Sequence, residues 1–558
     1  MKRSYIKYFS AICLLSFSGA AWAQVSKDDK KQEPARATMT EEIEVVRPYK
    51  PILAEAVKIR RSPDLNTNKP FKPVLTYTIL DKKLELNSNI KELQAQKLAE
   101  EQAPTLQDNY LKIGAGNLNT GFGELYLNTG KDEAMQAGMY VKHLSQQGSL
   151  NKQQFSHQQI AAFGRSIGNQ VTLAGKLGYD RRSTYFYGFN PVLPPSAADP
   201  DKQRFNLLEA EGELMSNYSA NTNKFNYAFK ANGYLFSNIF DGRENSISIS
   251  GHLAQAFGEF QLGVNASTDF TSSKDSLYVI GNHIFRANPH VKYQGTGFTL
   301  NLGLNVVQEF GKTSRLNILP AVSAEFPIAE EYATFFAGLN GDVLKTSLRD
   351  LTNDNPYLNK NVELKNSIEK MNFYGGIKGN AGAGLGYKVM AYYKTIQDLP
   401  LFVNDPFKIN RFNIIYDNGQ SKLLGFEGEI TVKASDVLNL SGKAEAINYD
   451  MASEKAAWFK PGFKLSANAR AAISPKISLD AAILYGGASK AKTFNTLQEM
   501  QVVTLKSYAD FSAGAEYRLN NKLGIYLRAN NILGNSYQQY LYYSKLGLNV
   551  VGGFNFSF

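Results

Sequence analysis

From about residue 109 onward apolar and polar residues alternate one by one, and the alternation persists to the C-terminus. Phe260, Leu262, Val264 and Ala266 alternate with Glu259, Gln261, Gly263, Asn265 and Ser267. Phe298, Leu300, Leu302, Leu304 and Val306 do the same against Thr299, Asn301, Gly303 and Asn305. Leu424, Phe426, Gly428, Ile430 and Val432 repeat it against Gly425, Glu427, Glu429, Thr431 and Lys433. A period of two places successive side chains on opposite faces of a strand. Strands of a soluble sandwich run to about 5 or 6 residues, and these are longer. Long alternating segments joined by turn residues predict an all-β fold, a transmembrane antiparallel β-barrel with its apolar face toward lipid and its polar face lining a lumen.

The connections support that reading by falling into two classes. Tight turns at Gly168-Asn169, Thr296-Gly297, Gly382-Ala383, Ser435-Asp436, Ser474-Pro475 and Asn520-Asn521 alternate with longer stretches. The longer ones cover 185–203, 346–370, 397–409, 487–500 and 533–545. A barrel of this kind has short periplasmic turns and long external loops. Counting strands between them predicts about 22, an even number that leaves both ends of the body on the periplasmic side.

Composition separates this body from a different head. Of 45 glycines, Gly19 alone precedes residue 109, whereas seven of the 19 prolines (Pro34, Pro48, Pro51, Pro63, Pro70, Pro73, Pro104) lie between residues 24 and 108. The N-terminus carries Lys2, Arg3 and Lys7, an apolar stretch from Tyr8 to Ala20, and Ala21-Trp22-Ala23 before Gln24. Basic, apolar and small-x-small segments in that order predict a secretory signal cleaved between Ala23 and Gln24. Three segments follow: 1–23 as signal, 24–108 as a glycine-free periplasmic or lumenal segment, and 109–558 as the barrel. The single cysteine, Cys13, lies inside the signal, so the mature chain is expected to hold no disulfide and no cysteine nucleophile.

Charge and motifs exclude several functions. The net charge of +11 is spread over the whole chain, too thinly for a nucleic-acid footprint. The five histidines, His143, His157, His252, His283 and His290, show no metal-ligand spacing. No Gly-x-Ser-x-Gly elbow or phosphate loop appears. Neither an enzyme nor a cofactor is expected.

The last residues, Gly553-Phe554-Asn555-Phe556-Ser557-Phe558, resemble the terminal signal by which outer-membrane barrels are recognised for insertion, with Gly553, Phe556 and Phe558 at the expected spacing. Upstream, Asn530-Asn531-Ile532-Leu533-Gly534-Asn535-Ser536-Tyr537, then Leu546-Gly547-Leu548-Asn549, resemble the closing hairpin of TonB-dependent receptors. Tyr416-Asp417-Asn418-Gly419 through Gly425-Phe426-Glu427-Gly428-Glu429 is similar to a mid-barrel strand of that family. The resemblance implies a receptor in the outer membrane of a Gram-negative-type bacterium, in contact with its lipid and with the barrel-assembly machinery, that binds or imports a solute using energy delivered through TonB. It departs at the head, because residues 24–108 are too short and too poor in glycine to be the family's plug. Within the head, Glu42-Ile43-Glu44-Val45-Val46 resembles the TonB box, a segment that pairs edge to edge with TonB. The remaining head either threads the lumen as a partial plug or docks a periplasmic partner. A passive porin-like channel and a membrane scaffold for a periplasmic or surface protein are the alternatives to energised import.

Overall fold

The computed structural model describes residues 109–558, apart from 130–133, 191–198, 218–224, 331, 383 and 434–436. The signal cleavage at Ala23 and Gln24, the TonB-box-like residues 42–46 and the rest of the head lie outside the described residues. Among the described residues, 22 strands form one sheet. Each barrel strand pairs antiparallel with the next barrel strand along the chain. The last, Asn549–Ser557, returns to the first, Tyr110–Gly116, through seven registered pairs from Tyr110↔Ser557 to Gly116↔Val551. This closes the sheet and removes both edges.

The faces sort as the alternation predicts. Leu262, at 49% exposure, Phe426, at 57%, and Ile247, at 60%, look outward. Polar residues between them line the lumen, where a stranded charge would be costly unless paired. Glu427 and Glu429 are met there by Lys443, at 2.8 Å from each, and Lys388 lies 3.6 Å from Glu427. Lys378 pairs with Glu325 and Lys176 with Glu209, both at 2.8 Å. These pairs cross between strands and staple the wall from inside.

The two classes of connection occupy opposite ends. The tight turns lie at the end where Asn109 donates its N–H to the Phe558 carbonyl, the periplasmic end by the loop asymmetry. The long loops lie at the other. Two expectations for them need correction. Residues 397–404 belong to the strand Leu385–Asn404, and the loop is only 405–411. A bulge at Asp398, whose φ is 58°, re-aims the chain without ending the pairing, because the register shifts and resumes at Leu399↔Asp417. The stretch 346–370 is not all loop, since the strand Ser367–Asn380 starts within it and a helix, Leu348–Asp354, precedes that strand. Ser347 caps the helix by accepting from the Asp350 N–H. Two small hairpins, Ser489–Phe494 with Met500–Leu505 and Gln538–Tyr540 with Tyr543–Ser544, sit inside external loops.

Candidate functional site

The residues singled out by resemblance fall into two places. Gly553 lies on the closing seam, directly opposite Gly114. A Cβ on Gly553 would stand 1.9 Å from the Ile113 carbonyl oxygen, and one on Gly114 would stand 2.1 Å from the Tyr526 hydroxyl. The seam therefore closes around two residues without side chains, with Tyr526 on the neighbouring strand beside them. Phe554, Phe556 and Phe558 project outward, and the last two rings stack at 5.4 Å.

The closing-hairpin residues organise the external end of the same seam. Asn530 ends the strand Leu523–Asn530 and donates to Asn549 Oδ1 at 3.2 Å. Asn549 is buried and donates in turn to Thr120 Oγ1 at 2.7 Å and Asn117 Oδ1 at 3.1 Å. Asn531, held at φ 47°, donates to the carbonyls of Asn535 and Leu546 and so ties the two ends of the 531–548 loop together. Gly534 turns the chain at φ 65°, a conformation glycine adopts without strain. Tyr537 stacks on Tyr508 at 4.3 Å and donates to Asp510.

The second place is a cap that these loops build across the mouth. Loop 186–201 precedes the sixth barrel strand and loop 405–411 the sixteenth, ten places apart in a ring of 22. Nevertheless they touch. Arg411 pairs with Asp201 and lies 4.5 Å over the Phe186 ring, while Asn410 donates to the Phe186 carbonyl at 2.9 Å. Tyr187, Tyr357 and Tyr543 come from three different loops. Tyr357 and Tyr543 stack at 3.5 Å, and Tyr187 meets Tyr543 edge-on at 5.0 Å. Phe412 extends the node to Phe459 and Tyr540, at 5.4 Å from each. Aromatic pairs contribute about 0.5–1.5 kcal/mol each beyond area burial, so a node of this size holds its loops together more firmly than single contacts. Burial pushes the Tyr543 phenol well above its ordinary range, so the phenol stays protonated. Its hydroxyl donates to the Asn410 carbonyl.

Buried carboxylates fasten the cap to the wall. Glu244, with no exposed surface, accepts from the Leu348 and Arg349 N–H groups at the start of the loop helix, and from Tyr234 and Ser273. Glu309 takes Arg315 at 2.5 Å and Asn366 Nδ2 at 2.9 Å, and Asn366 exchanges two amide bonds of 2.8 Å with Asn282. Asp417 accepts from the N–H groups of Ala452, Ser453 and Glu454 and from the hydroxyls of Ser453 and Ser421. Hydrogen bonds to a charged acceptor are worth about 1.5–3 kcal/mol each. Asp417→Ala is therefore expected to loosen loop 451–462 by about 3 kcal/mol or more, read as faster amide exchange at residues 452–454; unchanged exchange there would refute the assignment.

Asp417 lies in the stretch that resembles a mid-barrel strand, but neither it nor Glu244, Glu309 or any node aromatic is legible from the sequence as a site. The one available signal was the density of aromatics in the loops, as in Tyr540, Tyr542 and Tyr543. Among the described residues no group of three or more His, Cys, Asp or Glu side chains is placed to hold a metal ion.

No protein-family model matches the sequence, and no curated protein matches it. Solved structures do. The ferripyoverdine receptor of the outer membrane of Pseudomonas aeruginosa, bound to ferripyoverdine, superposes with a TM-score of 0.62 at 14% identity, over 82% of this chain and 72% of that one. The FrpB iron transporter from Neisseria meningitidis gives 0.61 at 12% identity, over 81% of each chain. The siderophore receptor PiuA from Acinetobacter baumannii gives 0.58 at 12% identity, over 82% of each. What is shared is the fold, a large closed β-barrel.

Proposed function

We propose that this chain, which has the barrel fold of TonB-dependent outer-membrane receptors, is a gated solute receptor whose external cap is the binding face and whose head, residues 24–108, is the periplasmic handle. The observation that carries this reading is the direct contact between loops rooted on nearly opposite walls, Arg411 with Asp201 and Asn410 with Phe186. Loops that cross the mouth and bury their aromatics against each other argue against a permanently open pore. The neighbours named above are described as receptors or transporters of iron and siderophores, which supports a scarce-solute role without choosing the solute. Asn109, the first described residue, lies beside Phe558 on the periplasmic rim, which supports a reading in which Glu42, Ile43, Glu44, Val45 and Val46 pair with a TonB-like partner. Gly553, Phe556 and Phe558 serve the barrel-assembly machinery in the same reading.

Planar-bilayer recording of the full chain tests the gate. Low steady conductance is expected, rising severalfold when residues 345–366 are replaced by a short Gly-Ser linker. Large steady conductance from the unaltered chain would favour the passive pore and overturn the proposal. Binding of a peptide of residues 38–50 to the TonB C-terminal domain tests the handle; no binding, with uptake unchanged on its deletion, would remove energised import.

A further inference from the structure

A row of tyrosine rings faces the lumen next to Asn109, where the described chain begins. Tyr110 lies 6.3 Å from Tyr126, and Tyr126 lies 5.6 Å from Tyr140. The row is at the periplasmic end, since Asn109 bonds Phe558 and also accepts from the Asn128 N–H at 3.2 Å. Its face is the inner one. Tyr110 is in step with buried Lys112 and Tyr126 with buried Glu124, whereas Ile113 and Met139, at the alternate positions, are exposed on the outer wall. Phe163 adds a fourth ring, because a Cβ on Gly138, two residues before Tyr140, would stand 2.7 Å from its Cζ. Aromatic girdles of outer-membrane barrels belong to the lipid-facing wall, while the interior is polar. Tyr126 is nonetheless 37% exposed on the lumenal side, so lipid does not account for this row.

The sequence of the head supplies chemistry that fits it. Arg47-Pro48-Tyr49-Lys50-Pro51 and Lys69-Pro70-Phe71-Lys72-Pro73 each hold two prolines three residues apart around an aromatic and a basic residue. They contain two of the three aromatic residues between 24 and 108, so what aromatic surface the head has is concentrated in them. Proline fixes its own φ and biases the residue before it toward extended backbone. In the polyproline II conformation that this favours, residues three apart share one face at about 9 Å spacing, and the backbone carbonyls have no internal partner. Side-by-side rings receive such prolines between them, and phenols can donate to such carbonyls. Segments of the form Pro-x-x-Pro are recognised in this way by aromatic-lined grooves, at little cost in conformational entropy.

We infer that the tyrosine row is a groove for the chain's own head and that Lys69-Pro70-Phe71-Lys72-Pro73 is the segment it holds. Thirty-five residues, 74–108, join Pro73 to Asn109. A tether of that length presents the segment at about millimolar concentration, so a contact of modest strength is populated. Arg47–Pro51 carries the same chemistry on a longer tether and directly follows Glu42–Val46; docking it would draw the TonB-box-like strand against the wall. Holding 69–73 leaves residues 24–68 clear of the groove. The contact lies on one wall beside the seam and does not fill the lumen as a plug does. It also does not depend on what the cap binds.

Photo-cross-linking of the full chain in detergent, with a benzophenone amino acid in place of Phe71 and the products mapped by mass spectrometry, measures the contact. Cross-links to the strands Thr120–Asn128 and Met135–Gln147 are expected. Tyr126→Ala with Tyr140→Ala is expected to lower their yield about tenfold, as is Pro70→Ala with Pro73→Ala. Tyr126→Phe with Tyr140→Phe, which keeps both rings, is expected to retain most of it. The heat-dependent shift on gels verifies that each variant is a folded barrel. Absence of cross-links to these two strands would overturn the inference, as would an unchanged yield in the Tyr→Ala pair. An equal yield from the same probe at Tyr49 would overturn the choice of segment. Cross-links from position 71 only to a co-purifying periplasmic protein would assign the segment to that partner and overturn the self-contact.

Discussion

Gly553→Val is expected to reduce the folded, heat-modifiable fraction of the barrel by tenfold or more, both in cells and on refolding into detergent. Any Cβ at 553 meets the Ile113 carbonyl oxygen at 1.9 Å. Backbone on the opposing strand gives way only if the seam itself shifts. Overpacking a well-fitted site costs about 1–3 kcal/mol, and here it falls on a junction of seven residue pairs, against nineteen between Leu385–Asn404 and Phe412–Lys433. A seam of seven pairs leaves few neighbours over which to spread strain. Phe556→Ala separates closure from recognition, since the ring points outward and contributes nothing to the seam. It should impair assembly in cells and leave refolding in detergent nearly intact. Normal refolding of Gly553→Val would show that the glycine is read by the assembly machinery and is not needed for closure.

The barrel was legible because its determinants are local. Alternation in Phe260–Ser267 or Leu424–Lys433 needs no partner to be recognised, and turn residues such as Ser474-Pro475 mark where each strand stops. Asp398 shows the limit. A bulge reads as a break in the pattern, so 397–404 looks like loop although Leu399, Leu401 and Val403 are buried in a paired strand. The lumenal carboxylates Glu427 and Glu429 were legible as inward-facing. That Lys443 reaches both of them depends on register between strands, which alternation does not specify.

The cap was not legible for a different reason. Tyr187, Tyr357 and Tyr543 are separated by well over a hundred residues, and their meeting depends on where a ring of 22 strands returns each loop. The head also gives no hint of the cap, since its lack of glycine bears only on the expectation that it is not a plug. Wall and cap thus divide the labour: paired strands close the barrel, and external loops fold inward and bury aromatics over its mouth.

Glu244 is the fastening on which that division depends, and Glu244→Ala is expected to release the loop 345–366 while leaving the barrel closed. Its two oxygens take four donors, Leu348 N–H and Ser273 on one, Arg349 N–H and Tyr234 on the other. Removing the carboxylate strands two backbone N–H groups at the helix start and two buried hydroxyls, each at about 1–3 kcal/mol. Even with partial relaxation, opening of the loop should become about a hundredfold more frequent, near 3 kcal/mol. Amide exchange of a peptide covering 345–366 measures this, and bilayer conductance should rise with it. Glu244→Gln is expected to be milder but still disruptive, because its NH2 faces a backbone N–H that can only donate and a hydroxyl that must reverse its bond. Arg349, stacked 4.0 Å over Tyr234 and bonded to Asp350, would keep the helix near the wall without sealing it. Unchanged exchange across 345–366 in both variants would mean that the aromatic node alone holds the cap.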